Sequence, residues 1–301
     1  MSVKTWSKKK KIIVGVVSAL VLLILLAFGG ALYALNWYCQ PIEAKPVVSV
    51  SSSKNGSVDS RLKLVAHRGL SSQAPENTLP AYTLAGQYGY WGAECDIYRT
   101  KDGKWVLMHD NYLYRLMDGS GAKKVESMTY EELLEYNYTN GANINMYSNL
   151  KVTLFEDYLD ECKKYNMVPV IEYKSDKNFE YLNEVIEILR AKDLEKKAVI
   201  ISFNIDALRE FKKYTQIIPL WYLVQKVDEK TIEEAKSLGT NAGIDFNANN
   251  EKTTRAMVQK ASDEGLTLAC WTVDDTNVMD TMLEWGVKII TTNTIVPAAK
   301  K

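Results

Sequence analysis

Histidine is nearly missing from this chain: its 301 residues contain two, His67 and His109. That scarcity leaves no imidazole set for a zinc centre, and the cysteines do not supply one either. Cys39, Cys95, Cys162 and Cys270 show neither paired spacing nor a metal-knuckle pattern, and they read as buried apolar thiols. A basic stripe is lacking too. Lys and Arg together equal Asp and Glu at 37 each, but five lysines (Lys4, Lys8, Lys9, Lys10, Lys11) crowd into the first eleven residues. Without them the chain holds 32 basic against 37 acidic residues. A mildly acidic body argues against nucleic acid as a partner. It leaves room for a phosphate-bearing small molecule, which local residues decide.

Charge of either sign is absent from Ile12 to Leu35, a run of 24 residues. As a helix it would extend about 36 Å at roughly 1.5 Å per residue, enough to cross a hydrocarbon core of about 30 Å. The lysines before it predict a cytoplasmic N-terminus. Trp37 and Tyr38 follow as interfacial aromatics would. A cleaved signal peptide has a shorter apolar region, about 7–15 residues, and a small-residue cleavage site. Here Leu35-Asn36-Trp37-Tyr38-Cys39 offers no small residue before the cysteine. The expectation is therefore a cytoplasmic basic tail (1–11), a single-pass transmembrane anchor (12–36), a serine-rich flexible linker (37–61) and an extracytoplasmic domain (62–296).

That domain alternates two periodicities. Short apolar runs recur: LKLVAH (62–67), GAECDIY (92–98), MVPVIEYK (167–174), AVIISF (198–203), IIPLWYLV (217–224), AGIDF (242–246), LTLACWTV (266–273) and GVKIITT (286–292). Amphipathic stretches lie between them, at 78–89, 153–166, 179–192, 205–214, 231–239, 251–265 and 277–286. Strand-then-helix alternation implies a parallel sheet, and eight strands close a TIM (β/α)8 barrel. An open doubly wound sheet is the alternative. The interval 99–152 breaks the rhythm and carries WVLMHD, so it reads as an insertion after the second strand that caps one mouth of the barrel.

On those strands the polar residues converge. His67 ends the first run, Glu94 and Asp96 lie late in the second, and Glu172 and Lys174 close the third. In a barrel of this kind, side chains at the C-terminal strand ends surround the active-site mouth. Residues two apart on a strand share a face, so three carboxylates should aim into one space. A hard divalent cation, Mg²⁺ or Ca²⁺, relieves their repulsion and takes such all-oxygen ligands. Arg68 and Lys174 suit a phosphate diester. The two histidines can divide proton removal and proton donation between them. Asp110 is either the orienter of His109 or a turn residue, and Trp271 either lines the mouth or packs the core. Pro75-Glu76-Asn77-Thr78 carries a helix N-cap signal, with Glu76 and Asn77 also near the mouth.

The ordered series His67-Arg68-Gly69, PENT (75–78), Glu94-x-Asp96, Thr100-x-Asp102-Gly103, Val106-x-x-His109-Asp110 and Glu172-x-Lys174 resembles the glycerophosphodiester phosphodiesterase family, in its membrane-anchored bacterial form. Ser202-Phe203, Trp271-Thr272-Val273 and Ile289-Ile290-Thr291 extend the likeness over nearly all of 62–293. The resemblance implies one divalent cation held by Glu94, Asp96 and Glu172, and an acid–base pair of His67 and His109. It also implies phosphate contacts from Arg68 and Lys174, with Trp271 shaping the pocket. The reaction it implies is hydrolysis of a glycerophosphodiester to sn-glycerol 3-phosphate and an alcohol. Facing outward, the domain would meet glycerophosphodiesters, lysophospholipid-like molecules or a polyglycerol-phosphate polymer. Two positions depart from the family. Asn293 stands where many members have aspartate after the threonine, and Asp274 where asparagine commonly follows the WTV run. A metal-independent phosphoinositide-type phospholipase C is the competing enzyme, with the carboxylate cluster against it. A catalytically silent envelope-binding barrel is the competing non-enzyme.

Overall fold

Eight of the apolar runs become parallel strands, and their hydrogen-bonded order returns to its start. In chain order the strands of the structure are β1 (Val48–Ser49), β2 (Lys63–Ala66), β3 (Gly92–Arg99), β4 (Trp105–Leu107), β5 (Val168–Tyr173) and β6 (Val199–Ser202). They continue with β7 (Leu220–Val224), β8 (Ala242–Asn247), β9 (Thr267–Trp271), β10 (Ile289–Thr292) and β11 (Ile295–Val296). The sheet runs β2-β10-β9-β8-β7-β6-β5-β3, and pairing of β2 with β3 closes it into a barrel. This is a computed structural model, and it describes residues 17, 20–31, 38–50, 62–175 and 179–298. The closed order settles the choice between barrel and open sheet in favour of the barrel.

The chain divides into two units, Met1–Pro41 and Ile42–Lys301. In the first, residues 20–31 are helical with exposed side chains. Among the described residues no helix is long and apolar enough to cross a membrane. The expected span 12–36 falls in part outside the described residues, and the tail 1–11 lies wholly outside them.

In the second unit, strand alternation separates two cores. Ala93, Cys95 and Ile97 face outward into the layer of helices, beside Tyr82, Tyr158 and Leu159. Val65, Val170, Ile201, Leu223 and Ala269 fill the lumen. The helices lie where the sequence places them, for example α1 (Leu79–Tyr88) and the helix Ile205–Tyr214. Asn204 caps the latter, its side chain accepting from the amides of Asp206 and Ala207.

The insertion has a small core of its own, with Tyr98, Met108, Leu113, Met117 and Leu133 buried together. It opens with β4, which folds back antiparallel on β3 and pairs Ile97 with Leu107. This hairpin brings His109 back to the end of the strand that carries Glu94 and Asp96.

Part of the expected flexible linker is instead built into the domain. β1 pairs in parallel with β11, Val48 opposite Ile295, and Val50 is 2% exposed. The Lys45 amide donates to the Ser72 carbonyl at 3.0 Å, and the Ile42 amide to Asn140 Oδ1 at 2.8 Å. The serine-rich composition hid this because the stretch begins with an apolar pair, Val47-Val48, that gains a strand partner only from the far end of the chain. Residues 51–61 lie outside the described residues.

Candidate active site

The parallel register of β3 and β5 sets Asp96 directly opposite Glu172, with Glu94 one inward position lower. One oxygen from each of Glu94, Asp96 and Glu172 lies within 4.8 Å of the other two. All three residues are buried. Glu94 Oε1 and Asp96 Oδ1 have no hydrogen-bond partner. Two orphaned carboxylate oxygens in a buried cluster fit a hard dication, because burying such an oxygen unpaired is costly.

The cations beside the cluster satisfy it only in part, pairing with Asp96 and Glu172 and leaving Glu94 Oε1 without a partner. Lys174 Nζ lies 2.9 Å from Glu172 Oε1 and 3.4 Å from Asp96 Oδ1, and Arg68 Nε is 3.3 Å from Asp96 Oδ2. Burial pushes Asp96 up, but Lys174 and Arg68 outweigh it and hold the carboxyl well below the usual range. Glu94 receives less help: burial and then the charge of Asp96 drive it well above the usual carboxylate range. Burial and Asp96 push Glu172 up to about 7. The metal-free cluster therefore holds protons that a cation would displace.

Asn77 explains why the PENT loop leaves this mouth. Its Nδ2 donates to Asp96 Oδ2 at 2.8 Å, its Oδ1 accepts from the Asp96 amide at 3.2 Å, and Tyr82 Oη donates to the same oxygen at 2.9 Å. Thr78 occupies the N-cap position of α1 without a side-chain capping bond. Asn77 thus positions Asp96, and the capping signal in the sequence concealed that role. Gly69 lets the loop pass close to α1: a Cβ there would sit 2.7 Å from Ala81, and φ is +77°. The Arg68 amide donates to Glu94 Oε2 at 2.9 Å.

Each histidine is oriented by a group that fixes its tautomer. Asp274 can only accept, so the Asn293 amide group faces it, Nδ2 donating to Asp274 Oδ2 at 2.7 Å. Asn293 Oδ1 is then the acceptor for Ser71 Oγ at 3.0 Å and for His67 Nδ1 at 2.8 Å. His67 carries its proton on Nδ1, which leaves Nε2 as a lone-pair base. Burial, and then the charge of Arg68, lowers His67 to about 4. His109 Nδ1 meets Asp110 Oδ1 at 2.9 Å, and Arg115 Nε donates to the other oxygen of Asp110. Arg115 continues to Glu76 Oε2 at 3.1 Å, and Glu76 pairs with Arg68 at 2.9 Å. Asp110 is thus the partner of His109. Arg115, Asn293 and Asp274 were not assigned a role from sequence, since each acts through contacts remote in the chain.

His67, Arg68, Glu94, His109, Glu172, Lys174 and Trp271 line one cavity of about 500 Å³, opening included, at the C-terminal strand ends; Asp96 lies buried behind it. Trp271 stands edge-on to Phe203 with ring centroids 5.5 Å apart, its Nε1 donating to the Asp245 carbonyl at 3.2 Å. So it lines the mouth and also packs against the lumen core, at the boundary of the two.

The sequence pattern of the glycerophosphoryl diester phosphodiesterase family matches residues 67–296. The chain belongs to that family. It is an enzyme, a phosphodiesterase. A glycerophosphodiester phosphodiesterase of Bacillus subtilis is 29% identical over 280 residues, covering 87% of this chain and 94% of that one. Among solved structures, a glycerophosphodiester phosphodiesterase from Parabacteroides distasonis superposes with a TM-score of 0.63 at 29% identity, covering 77% of this chain and 92% of that chain. An Oleispira antarctica phosphodiesterase, solved with its product sn-glycerol-3-phosphate, gives 0.70 at 25% identity, over 82% and 96% of the two chains.

Proposed function

We propose that the chain hydrolyses glycerophosphodiesters to sn-glycerol 3-phosphate and an alcohol, using one divalent cation and two histidines. The observation that carries this is the buried triad of Glu94, Asp96 and Glu172, with orphaned oxygens, beside two imidazoles of fixed tautomer in one cavity. The three carboxylates would hold Mg²⁺ or Ca²⁺, which would polarise the phosphoryl oxygens and offset charge growing in the transition state. Arg68 and Lys174 hold the phosphate. His67, neutral at physiological pH, accepts the proton of the attacking hydroxyl at Nε2. His109 enters this step doubly protonated: Nδ1–H stays on Asp110, and the Nε2 proton passes to the leaving alkoxide as the phosphorus–oxygen bond to the alcohol breaks. When the neighbouring glycerol hydroxyl is the attacker, the product is a cyclic phosphate. Water then opens it with the two histidines in exchanged roles.

The test is release of glycerol 3-phosphate from glycerophosphocholine by the purified protein, with Mg²⁺ or Ca²⁺ and then with a chelator. Turnover abolished by chelation and restored by the metal is the expected result. Full turnover in chelator would favour the metal-independent phospholipase reading, and no turnover on several head groups the silent barrel. We also propose that residues 12–36 anchor the chain with the catalytic domain outside the cytoplasm, supported by the uncharged 24-residue run and the lysines before it. Protease added to intact cells should then digest the domain; complete protection would refute the orientation.

A further inference from the structure

Asp245 is a buried carboxyl that the reaction just described does not use. It lies on β8 with Leu223 and Ala269 as its register neighbours, both lumen residues. It is 2% exposed, its Oδ1 has no hydrogen-bond partner, and it lines the same cavity as both histidines. By strand order, Ile201, Phe203, Leu223 and Trp271 reach the cavity from β6 to β9, the arc that carries Asp245, whereas His67, Arg68 and Lys174 reach it from β2 and β5. Thr272 and Thr291 also line it. Burial, with the charge of Glu172 behind it, pushes Asp245 up to about 8. In either protonation state a carboxyl can hydrogen-bond a hydroxyl.

An apolar pocket wall with one unsatisfied carboxyl is a poor packing solution, since a hydrocarbon side chain would fill the space without the desolvation cost. It suits a ligand whose carbon skeleton carries a hydroxyl. We propose that Asp245 binds a hydroxyl of the polyol half of the substrate, so that the site selects phosphodiesters of glycerol over those of simpler alcohols. This rests on the glycerophosphodiester reading above. With the phosphate between Arg68 and Lys174, the terminal hydroxyl of the glycerol is the group left to be recognised. A site built to hydrogen-bond a hydroxyl discriminates strongly against an analogue without it, because its own polar atom is then left unpaired.

The experiment compares two esters with the full chain in Mg²⁺: glycerophosphocholine, and the phosphocholine ester of propane-1,2-diol, which keeps the neighbouring hydroxyl and lacks the terminal one. Wild type should favour the glycerol ester by about 10–100-fold in kcat/KM, the span of one buried hydrogen bond left unmade. Asp245→Leu should slow the glycerol ester by that factor, chiefly through KM, and leave the deoxy ester within about threefold. Asp245→Asn, which keeps a donor and an acceptor, should retain most of the preference. Wild type treating both esters alike would overturn the proposal, as would Asp245→Leu slowing both equally. The wild-type comparison can refute the proposal even when the Leu variant does not fold, and Asp245→Ala, losing the preference where Asp245→Asn keeps it, then assigns the contact to Asp245. Should neither ester turn over, the functional reading fails, and calorimetric binding of sn-glycerol 3-phosphate against propane-1,2-diol phosphate still tests Asp245. Tighter binding of the glycerol phosphate supports the role, and equal binding removes it.

Discussion

An amide and a carboxylate trade places beside His67. Asn293 and Asp274 each depart from the residue the family commonly has there, and they face each other at 2.7 Å, so the two departures are one exchange of an acid for an amide. Its consequence is that a neutral oxygen, not a carboxylate, meets His67 Nδ1. Burial already holds His67 to about 4. A base with a lowered pKa stays deprotonated as pH falls, so the loss of kcat/KM due to His67 should centre well below the ordinary 6.5. Asn293→Asp alone sets two carboxylates against each other and a negative charge on the imidazole. It should destabilise the site and move that limb upward. The double variant Asn293→Asp/Asp274→Asn restores the complementary contact, and its cycle should show a coupling of about 1–3 kcal/mol by thermal or denaturant unfolding. Additive effects would show that the two side chains do not communicate. Glu172→Gln tests the opposite side of the mouth. Removing a ligand and a buried charge together should cut turnover by more than about 100-fold, with the far-UV circular dichroism unchanged. Near-normal rates would take Glu172 out of the site.

The eight barrel strands were legible in the sequence because each is a short apolar run bounded by turns, and its period differs from that of the helices it alternates with. The convergence of His67, Glu94, Asp96 and Glu172 at one mouth was legible for the same reason: a strand fixes which side chains share a face. What escaped is nonlocal. Arg115 reads as an ordinary insertion charge, yet it ties Asp110 to Glu76. Arg115→Met should free the His109 ring from its orienter and lower kcat about 10–100-fold with little change in KM, a share of what a positioned acid contributes. An unchanged kcat would show that Asp110 holds the ring unaided. The strap of residues 42–50 was equally hidden, since two residues pairing with β11 leave no period to read. It covers Ile295 and Val296, which are 0% and 5% exposed. A chain starting at residue 62 uncovers them and loses Val50, whereas one starting at residue 42 keeps the pair. The shorter form should melt about 5–15 °C lower, the shift expected for the loss of a few kcal/mol from a domain this size. Equal melting temperatures would make the strap an ornament of the fold.

At the scale of the whole molecule, charge concentrates where the barrel can least accommodate it, with three carboxylates on two adjoining strands at the mouth. Glu172 at about 7, and Glu94 well above its usual range, are raised pKa values. The metal-free native state therefore binds more protons than the unfolded chain between the ordinary carboxylate range and about 7, and its stability falls as pH rises through that window. His67 acts in the opposite direction, its lowered value costing stability as pH falls from 6.5 toward 4. Asp96 stays ionised throughout. A cation that binds the native cluster adds stability as RT ln(1 + [L]/Kd), about 2.7 kcal/mol at a hundredfold excess over Kd. Its Kd weakens below pH 7, because each metal ion must then expel protons from Glu172 and Glu94. The difference between melting curves with Mg²⁺ and with chelator largely cancels groups remote from the cluster, and repeating it in Asp245→Asn removes a neighbour that Glu172 also shifts. That difference should be small at pH 5.5 and widen to several degrees by pH 8 at one fixed metal concentration. A gap that is the same at both pH values would mean that the cation binds elsewhere, or that these carboxylates carry no exchangeable proton. The first outcome would take the triad out of the metal site; the second would leave it there with its carboxylates already ionised, and would refute the raised values of Glu172 and Glu94.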